Sequence, residues 1–219
     1  MNFEELRSRV SYQTGALALM ALVVSAALTL ADRGTRDAIA SRKVADLKAS
    51  LTQVIPARLY DADLLDDVVR LPMGPGAAPL NIYRARRHGE ISAVAFTVVG
   101  QGYAGPIEAL MGIDRQGRIL GVRVTSHQET PGLGDKIEHR KSHWIFAFEG
   151  RSLNDPAPPA WRVKKDGGAF DQLTGATITP RAVVQGVKQG LEVFAAHQRQ
   201  LLEHGPRREV PREEVIDGD

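Results

Sequence analysis

The sequence contains no cysteine, and this absence removes three kinds of chemistry. Disulfide bonds, thiolate metal sites and cysteine nucleophiles all need that residue. The chain also lacks a strong charge of one sign, because 28 Lys and Arg residues against 26 Asp and Glu leave a formal net charge of +2. Nucleic-acid binding normally rests on a clear positive excess, so the charge balance predicts no nucleic-acid partner.

Charged residues are also missing from one segment, Ser11–Ala31, which is bounded by Arg9 and Asp32. A membrane-spanning helix needs roughly 20 predominantly apolar residues, and this segment has that length. A cleaved signal peptide is the alternative, but the apolar run is long for one and no Ala-x-Ala site lies directly before Asp32. We therefore predict an uncleaved anchor that contacts the lipid bilayer through residues 11–31.

The charges flanking the anchor do not settle its orientation. Arg7 and Arg9 precede it, whereas more cations follow it, namely Arg33, Arg36, Arg42, Lys43 and Lys48. The positive-inside rule would place the following domain in the cytoplasm, although long domains often translocate regardless of charge. Charge alone leaves the side of the membrane open.

The rest of the chain has the pattern of an α+β domain with antiparallel strands. Strands are predicted at Ile91–Val99, Ile107–Ile113 and Arg118–Thr125, and the turn Asp114–Gly117 joins the last two into a hairpin. A second hairpin is predicted around the turn Asp166–Gly168.

Three helices are predicted beyond the anchor. One ends at Pro56 and carries an apolar face that either packs on its own domain or contacts a partner: Ala40, Val44, Leu47, Leu51 and Val54. A second covers Asp135–Phe148, and a long C-terminal helix follows Thr179-Pro180 and ends at Gly205-Pro206. The predicted divisions are a cytoplasmic segment 1–10, the anchor 11–31, a juxtamembrane helix 32–56, a domain 57–204 and a disordered polar tail 205–219.

The most informative stretch is Asp171–Thr179, which precedes Pro180. Thr179 is a favoured N-cap and proline is favoured at the first helical position, so the pair predicts a helix start. A turn of small residues before such a start presents free backbone N–H groups to a phosphate. Its hydroxyls, Thr174 and Thr177, could also bond a phosphate covalently.

A second unusual segment is Glu129–Gly134, in which two glycines flank Leu133. Glycine allows the backbone to approach a planar ligand closely, and Glu129 could accept hydrogen bonds from it. An ordinary surface turn that uses glycine for positive φ is the alternative.

Two further sets of side chains have simpler explanations. His139 and His143 stand four residues apart, but no third ligand is evident and the zinc-protease arrangement is absent, so no metal site is predicted. Lys164 and Lys165 could reach an anionic group or could be solvated at a strand end.

Three stretches together resemble a known family: Gly102–Ile107, Gly121–Lys136 and Asp171–Thr177. They are similar to the FMN-binding domain of ion-translocating electron-transport complexes, in particular to G subunits of Rnf complexes. The C subunits of sodium-translocating NADH:quinone reductases share the domain and are the alternative within it. The resemblance covers essentially residues 1–200, and its last motif, Asp-x-x-Ser/Thr-Gly-Ala-Thr, is specific because it marks covalent flavinylation in the family.

This resemblance implies that FMN is attached through its phosphate to Thr177. A dedicated flavin transferase would make this phosphoester, and Asp171, Thr174, Gly175 and Ala176 would belong to the sequence that it reads. Residues 174–176 would also donate near the phosphate.

The resemblance further implies where the rest of the cofactor lies. Glu129, Leu133 and Gly134 would contact the flavin ring or its ribityl chain, and Lys164 would stabilise reduced, anionic flavin. The domain would lie on the periplasmic side of a bacterial inner membrane and relay electrons between other subunits of the complex. A membrane-anchored binding or assembly module without redox chemistry is the alternative of a different class.

Overall fold

The computed structural model describes residues 10–74, 76 and 78–203. The predicted tail 205–219 and the helix end at Gly205-Pro206 therefore lie outside the described residues, as does nearly all of segment 1–10. The chain divides after Ala45 into two compact units.

The first unit contains most of helix α1, which covers Val10–Val54 without a break. Its apolar side chains are exposed along the predicted anchor, among them Leu17, Met20, Leu22 and Leu28. The helix is long and apolar enough to cross a membrane. It stops just before Pro56, as predicted, because proline disfavours helical backbone in the residue before it.

The second unit is built on one antiparallel sheet with the strand order β1-β2-β3-β4-β5. The strands are β1 (Val68–Leu71), β2 (Leu80–Arg87), β3 (Glu90–Gln101), β4 (Pro106–Asp114) and β5 (Ile119–Ser126). The α+β class and the three predicted strands are confirmed in β3, β4 and β5. Strands β1 and β2 were not predicted, since arginines interrupt the apolar pattern of β2 and their pairing depends on the fold.

The two faces of the sheet are covered by different helices. Helix α2 (Ile178–Leu202) lies on one face, where a Cβ added to Gly100 would come within 2.2 Å of the Ala182 carbonyl oxygen. The end of α1 packs on the other face, where a Cβ at Gly112 would come within 2.3 Å of the Val54 carbonyl oxygen. Glycine thus permits the close approach of both helices, and the apolar face of α1 packs, at Leu51 and Val54, on its own domain.

Two predicted elements are wrong. Residues 135–148 do not form one α-helix but two 3-10 turns, Gly134–Ile137 and Trp144–Phe148. The polar residues between them turn the chain, and the Ser142 hydroxyl donates to the Lys136 carbonyl at 2.5 Å. The buried apolar residues of this segment are not spaced at the helical period. This spacing explains the imperfect pattern in the sequence.

The second hairpin is also absent among the described residues. Val163 and Phe170 form a single parallel bridge, and Lys164–Asp166 coils into a 3-10 turn. Gly168 folds back onto residue 162, where a Cβ would come within 2.0 Å of the carbonyl oxygen. The Gly-Gly sequence therefore makes a compact loop instead of joining two strands.

Candidate functional site

The turn before α2 consists of Leu173–Ala176. The Ala176 N–H donates to the Leu173 carbonyl at 3.1 Å, and Gly175 has a φ of +85°. This is the conformation that the third residue of a type II turn requires, and it favours glycine. A Cβ at Gly175 would lie 2.8 Å from the Leu133 side chain, so the fold brings both predicted segments together.

Helix α2 begins at Ile178, and its N-cap is Thr177. The prediction that Thr179 caps the helix is wrong, because Thr179 is the second helical residue and is buried. Pro180 stands at the third position, still within the first turn, where a backbone N–H has no helical partner. The two helix-start signals of the sequence are thus displaced by two residues.

Thr177 occupies the N-cap position without using its side chain for capping. Its backbone is near the helical region, with φ −92° and ψ −33°, and its hydroxyl makes no capping hydrogen bond. N-cap residues normally have extended backbone and accept a bond from the first turn. The Thr177 side chain is half-buried beside the positive end of the α2 dipole.

Glu129 lies beneath this turn and is 4% exposed. One carboxylate oxygen accepts the Ala104 N–H at 3.0 Å, and the other accepts the hydroxyl of Thr179. Gly134 leaves room for this pair, because a Cβ there would come within 2.9 Å of the Thr179 hydroxyl oxygen. Glu129 therefore binds groups of the protein itself in the described structure.

A polar network continues from Glu129 along the loop. The Glu129 N–H donates to Nδ1 of His127 at 3.1 Å, and Nε2 of His127 lies 3.0 Å from Glu138. Lys141 contacts Glu138 at 2.6 Å and Asp135 at 3.0 Å. The Gly132 backbone and the Lys141 ammonium hold the pKa of Asp135 below its ordinary value by hydrogen bonds to its carboxylate.

Lys164 and Asp171, predicted for separate roles, form an ion pair of 2.5 Å on the surface. The indole N–H of Trp144 donates to the Asp171 carbonyl at 2.6 Å. Trp144 packs edge-on against Phe148, which is buried in the aromatic cluster of Trp161 and Phe170. The first residue of the motif is therefore anchored to the core through Trp144.

Sequence reasoning did not identify Trp144 or His127 as parts of this site, and it did not predict the bond of Thr179 to Glu129. Trp144 was assigned to a helix face, and Thr179 to the cap. His139 and His143 do not share an α-helical face, and no cluster of three metal-ligating side chains occurs within the described ranges. Burial, together with the nearby Arg123 and Arg140, lowers the pKa of His139.

Exposed apolar side chains surround the turn. Leu133 and Ile178 are each 44% exposed, and Tyr103 is 70% exposed. Leu133 contacts Gly175, Ile178 follows Thr177, and Tyr103 precedes Ala104, which binds Glu129. An apolar rim next to a free hydroxyl and a helix N-terminus suits a ligand with a flat apolar part and a phosphate.

Comparisons with known proteins identify the family to which this chain is similar. The FMN-binding domain family matches residues 102–192, from the β3–β4 turn through most of α2. Two relatives are named as the G subunits of ion-translocating oxidoreductase complexes. The one from Cereibacter sphaeroides is 50% identical over 88% of this chain and 87% of its own length, and the one from Stutzerimonas stutzeri is 48% identical over 89% and 85%.

A crystal structure of NqrC from Shewanella oneidensis is also similar. It has 24% sequence identity and a TM-score of 0.47, over 69% of this chain and 73% of that one. The identity of about half the residues to the two G subunits, over nearly their whole length, decides the family. This chain belongs to the family of G subunits of ion-translocating oxidoreductase complexes.

Proposed function

We propose that this chain is a redox subunit that carries FMN on Thr177, within a membrane complex that couples electron transfer to ion translocation. The observation that carries the proposal concerns Thr177, which is the N-cap residue of helix α2 but whose hydroxyl makes no capping hydrogen bond. The match to the FMN-binding domain family is the reason for proposing FMN as the cofactor. When bound, FMN would provide one- and two-electron chemistry, and the protein would supply position and electrostatics.

Three threonine hydroxyls lie close together in this segment, and their surroundings differ. Thr179 is 1% exposed and its hydroxyl is bonded to Glu129, so it is inaccessible. Thr174 is exposed at the tip of the turn, away from the helix start. Thr177 alone among the three combines an unbonded hydroxyl with the helix N-terminus, where a phosphate is stabilised.

We expect the residues around Thr177 to contact the flavin. Leu133 would cover part of the ring or the ribityl chain with its exposed side chain. Gly134 is buried against Glu129 and Thr179, so it would support the site from beneath instead of contacting the flavin.

The N–H groups of Thr174 and Gly175 would donate near the phosphate, whereas the Ala176 N–H is already bonded to the Leu173 carbonyl. Lys164 is paired with Asp171 on the surface, and it would have to leave this ion pair to stabilise the anionic reduced flavin.

Attachment would require a flavin transferase that uses FAD. The Thr177 oxygen would form a bond to the phosphorus of the FMN half while the pyrophosphate bond breaks, so that AMP leaves and the hydroxyl proton passes to a base. Asp171, Thr174, Gly175 and Ala176 would be read by that enzyme. Three of them are exposed and Ala176 is half-buried, which suits contact with a second protein.

The proposed location is the periplasmic side of the inner membrane, with α1 as the anchor and the other subunits of the complex as partners. A flavin outside the cytoplasm is lost by dilution when it dissociates, and an ester to Thr177 prevents this. The excess of cations after the anchor opposes this orientation, but translocation of a long domain is often insensitive to charge.

Mass spectrometry tests the proposal directly on protein produced with a flavin transferase. Trypsin is expected to release Asp166–Arg181, and fragmentation should place a mass of FMN less one water on Thr177. Thr177→Ala should lose the label and its in-gel flavin fluorescence. Thr174→Ala changes a residue that the transferase would read, so its labelling can slow, but any label that it receives should still lie on Thr177. A label that stays in Thr177→Ala would contradict the proposed residue.

Two alternatives predict other outcomes. A C subunit of a sodium-translocating NADH:quinone reductase would carry the same label but purify with different subunits in mild detergent. The relatives at 50% and 48% identity favour the Rnf-type assignment. A binding or assembly module without redox chemistry would be colourless when purified from the native membrane.

A further inference from the structure

We propose that Glu129 is a positioning residue, which sets the place of the Thr177 hydroxyl by fixing the first turn of α2 through Thr179. This inference rests on the proposed attachment of FMN to Thr177. It assigns Glu129 a role different from the ligand contact that the sequence suggested.

The first argument is the burial of both partners. Glu129 is 4% exposed and Thr179 is 1% exposed, so water has little access to their hydrogen bond. A buried carboxylate needs donors from the protein, and here they are the Ala104 N–H at 3.0 Å and the Thr179 hydroxyl. The carboxylate therefore joins the β3–β4 turn to the start of α2.

The second argument is the space around the carboxylate, which glycine provides on two sides. A Cβ at Gly102 would come within 2.5 Å of a Glu129 carboxylate oxygen. A Cβ at Gly134 would lie 2.9 Å from both the Glu129 Cβ and the Thr179 hydroxyl oxygen. A side chain at Gly102 would displace the Glu129 carboxylate, and one at Gly134 would displace both Glu129 and Thr179.

The third argument is that Glu129 is itself held in place. Its N–H donates to Nδ1 of His127, and Nε2 of that ring lies 3.0 Å from Glu138. Thr177 stands directly before α2, two residues from Thr179, and makes no capping bond of its own. The orientation of its hydroxyl therefore depends on where the first turn of the helix is held.

The test compares the initial rate of flavin transfer to full-length protein in four variants of this pair and in one control variant, with thermal midpoints measured in parallel before flavin is added. Thr179→Val removes the hydroxyl but keeps the shape, and Thr179→Ser restores the donor. Glu129→Ala removes the carboxylate. Glu129→Gln keeps the shape, because its carbonyl can accept the Ala104 N–H while its amide donates to the Thr179 oxygen.

We expect Thr179→Val and Glu129→Ala to slow labelling of Thr177 by about tenfold to a hundredfold, as small misplacements of reacting groups do. Thr179→Ser and Glu129→Gln should stay near the wild-type rate. Asp67→Asn, which lowers stability at a site remote in sequence from the turn, should also label normally.

Three results would overturn the inference. One is a wild-type labelling rate in Thr179→Val. Another is a loss of labelling rate in Asp67→Asn that equals the loss in Thr179→Val when the two variants have the same thermal midpoint. The third is a loss in Glu129→Gln as large as in Glu129→Ala, which would assign the effect to charge. If the wild-type chain itself carries no label on Thr177, the proposed function fails, and this outcome differs from all three.

Discussion

Arg181 binds Asp166 through two parallel hydrogen bonds of 2.6 Å. Arg181 stands four positions after Thr177 in the sequence, in the first turn of α2. The ion pair therefore joins this turn to the 3-10 turn Lys164–Asp166. A two-point pair of this kind fixes the orientation of both side chains as well as their distance. It therefore adds a second tie, besides that of Glu129, at the start of the helix.

The ion pair predicts a dependence of stability on pH. The hydrogen bonds from Arg181 lower the pKa of Asp166 from its ordinary 3.8. A carboxylate with a lowered pKa in the folded state contributes stability above its unfolded pKa and loses it as pH falls through the folded value. The wild-type thermal midpoint should therefore decline more steeply than that of Asp166→Asn as the pH falls below 3.8.

The control for this experiment is Asp155→Asn, since its contact with Arg151 is longer, at 3.5 Å, and exposed. Its pH profile should follow the wild type. Parallel profiles for Asp166→Asn and the wild-type chain would show that the pair contributes nothing to stability in acid.

Gly100→Ala should be strongly destabilising. The added Cβ would lie 2.2 Å from the Ala182 carbonyl oxygen, and a helix backbone cannot move as a side-chain tip can. Overpacking of this kind typically costs about 1–3 kcal/mol, and we expect the upper end. Chemical denaturation measures the loss.

Gly89→Ala is the matched control for Gly100→Ala. Gly89 has a φ of +83°, but nothing lies within 4 Å of the added Cβ, so strain of the backbone is its sole cost. That cost is about 1 kcal/mol. Equal losses in the two variants would mean that α2 can move away from β3.

The buried ion pair between Asp67 and Arg84 should be costly to break on one side. Both side chains are 4% exposed, and Arg86 contacts the other Asp67 oxygen at 2.5 Å. Removing one partner of such a pair leaves an uncompensated buried charge, which costs about 3–5 kcal/mol. Asp67→Asn should lower the free energy of unfolding by this order.

An exposed pair offers the comparison. Glu90 and Arg115 lie 2.6 Å apart, with exposures of 60% and 43%. Exposed pairs contribute about 0–1 kcal/mol, so Glu90→Gln should change the free energy of unfolding little. A loss in Glu90→Gln as large as in Asp67→Asn would contradict the assignment of the effect to burial.

Trp144→Phe should slow flavin transfer without unfolding the domain. Phenylalanine keeps the edge-on contact with Phe148 but removes the indole N–H that binds the Asp171 carbonyl at 2.6 Å. The first residue of the attachment motif would lose its anchor. We expect about tenfold slower labelling of Thr177, since productive geometry is sensitive to small displacements.

In-gel flavin fluorescence over time measures this rate. Phe146→Leu is the control, because Phe146 lies in the same 3-10 turn and contacts Arg123 instead of the motif. A normal labelling rate in Trp144→Phe would mean that the rest of its loop holds Asp171 in place without the indole hydrogen bond. A similar delay in both variants would point to a general effect of the turn.

Periodic apolar patterns allowed much of the fold to be predicted. The apolar helix α1, strands β3 to β5 and helix α2 carry their own signals, because each buries or exposes a continuous face along local sequence. Residues 135–148 were misassigned, since Ile137, Ile145 and Phe148 are buried by the loops and strands around them and not by one helical face. Strand β2 was missed because Arg84 is buried there only through its partner Asp67.

The sequence by itself determined the apolar anchor, the small-residue turn with its two threonines, and the family that these motifs resemble. These properties reside in consecutive residues. The tertiary structure decided which hydroxyls are occupied: it buries Thr179 on Glu129, 50 positions away in the sequence, and leaves Thr177 without a capping bond. Hydrogen bonds between distant segments depend on the packing of the whole domain, so the local motif that indicates Thr177 carries no information about the bond that occupies Thr179.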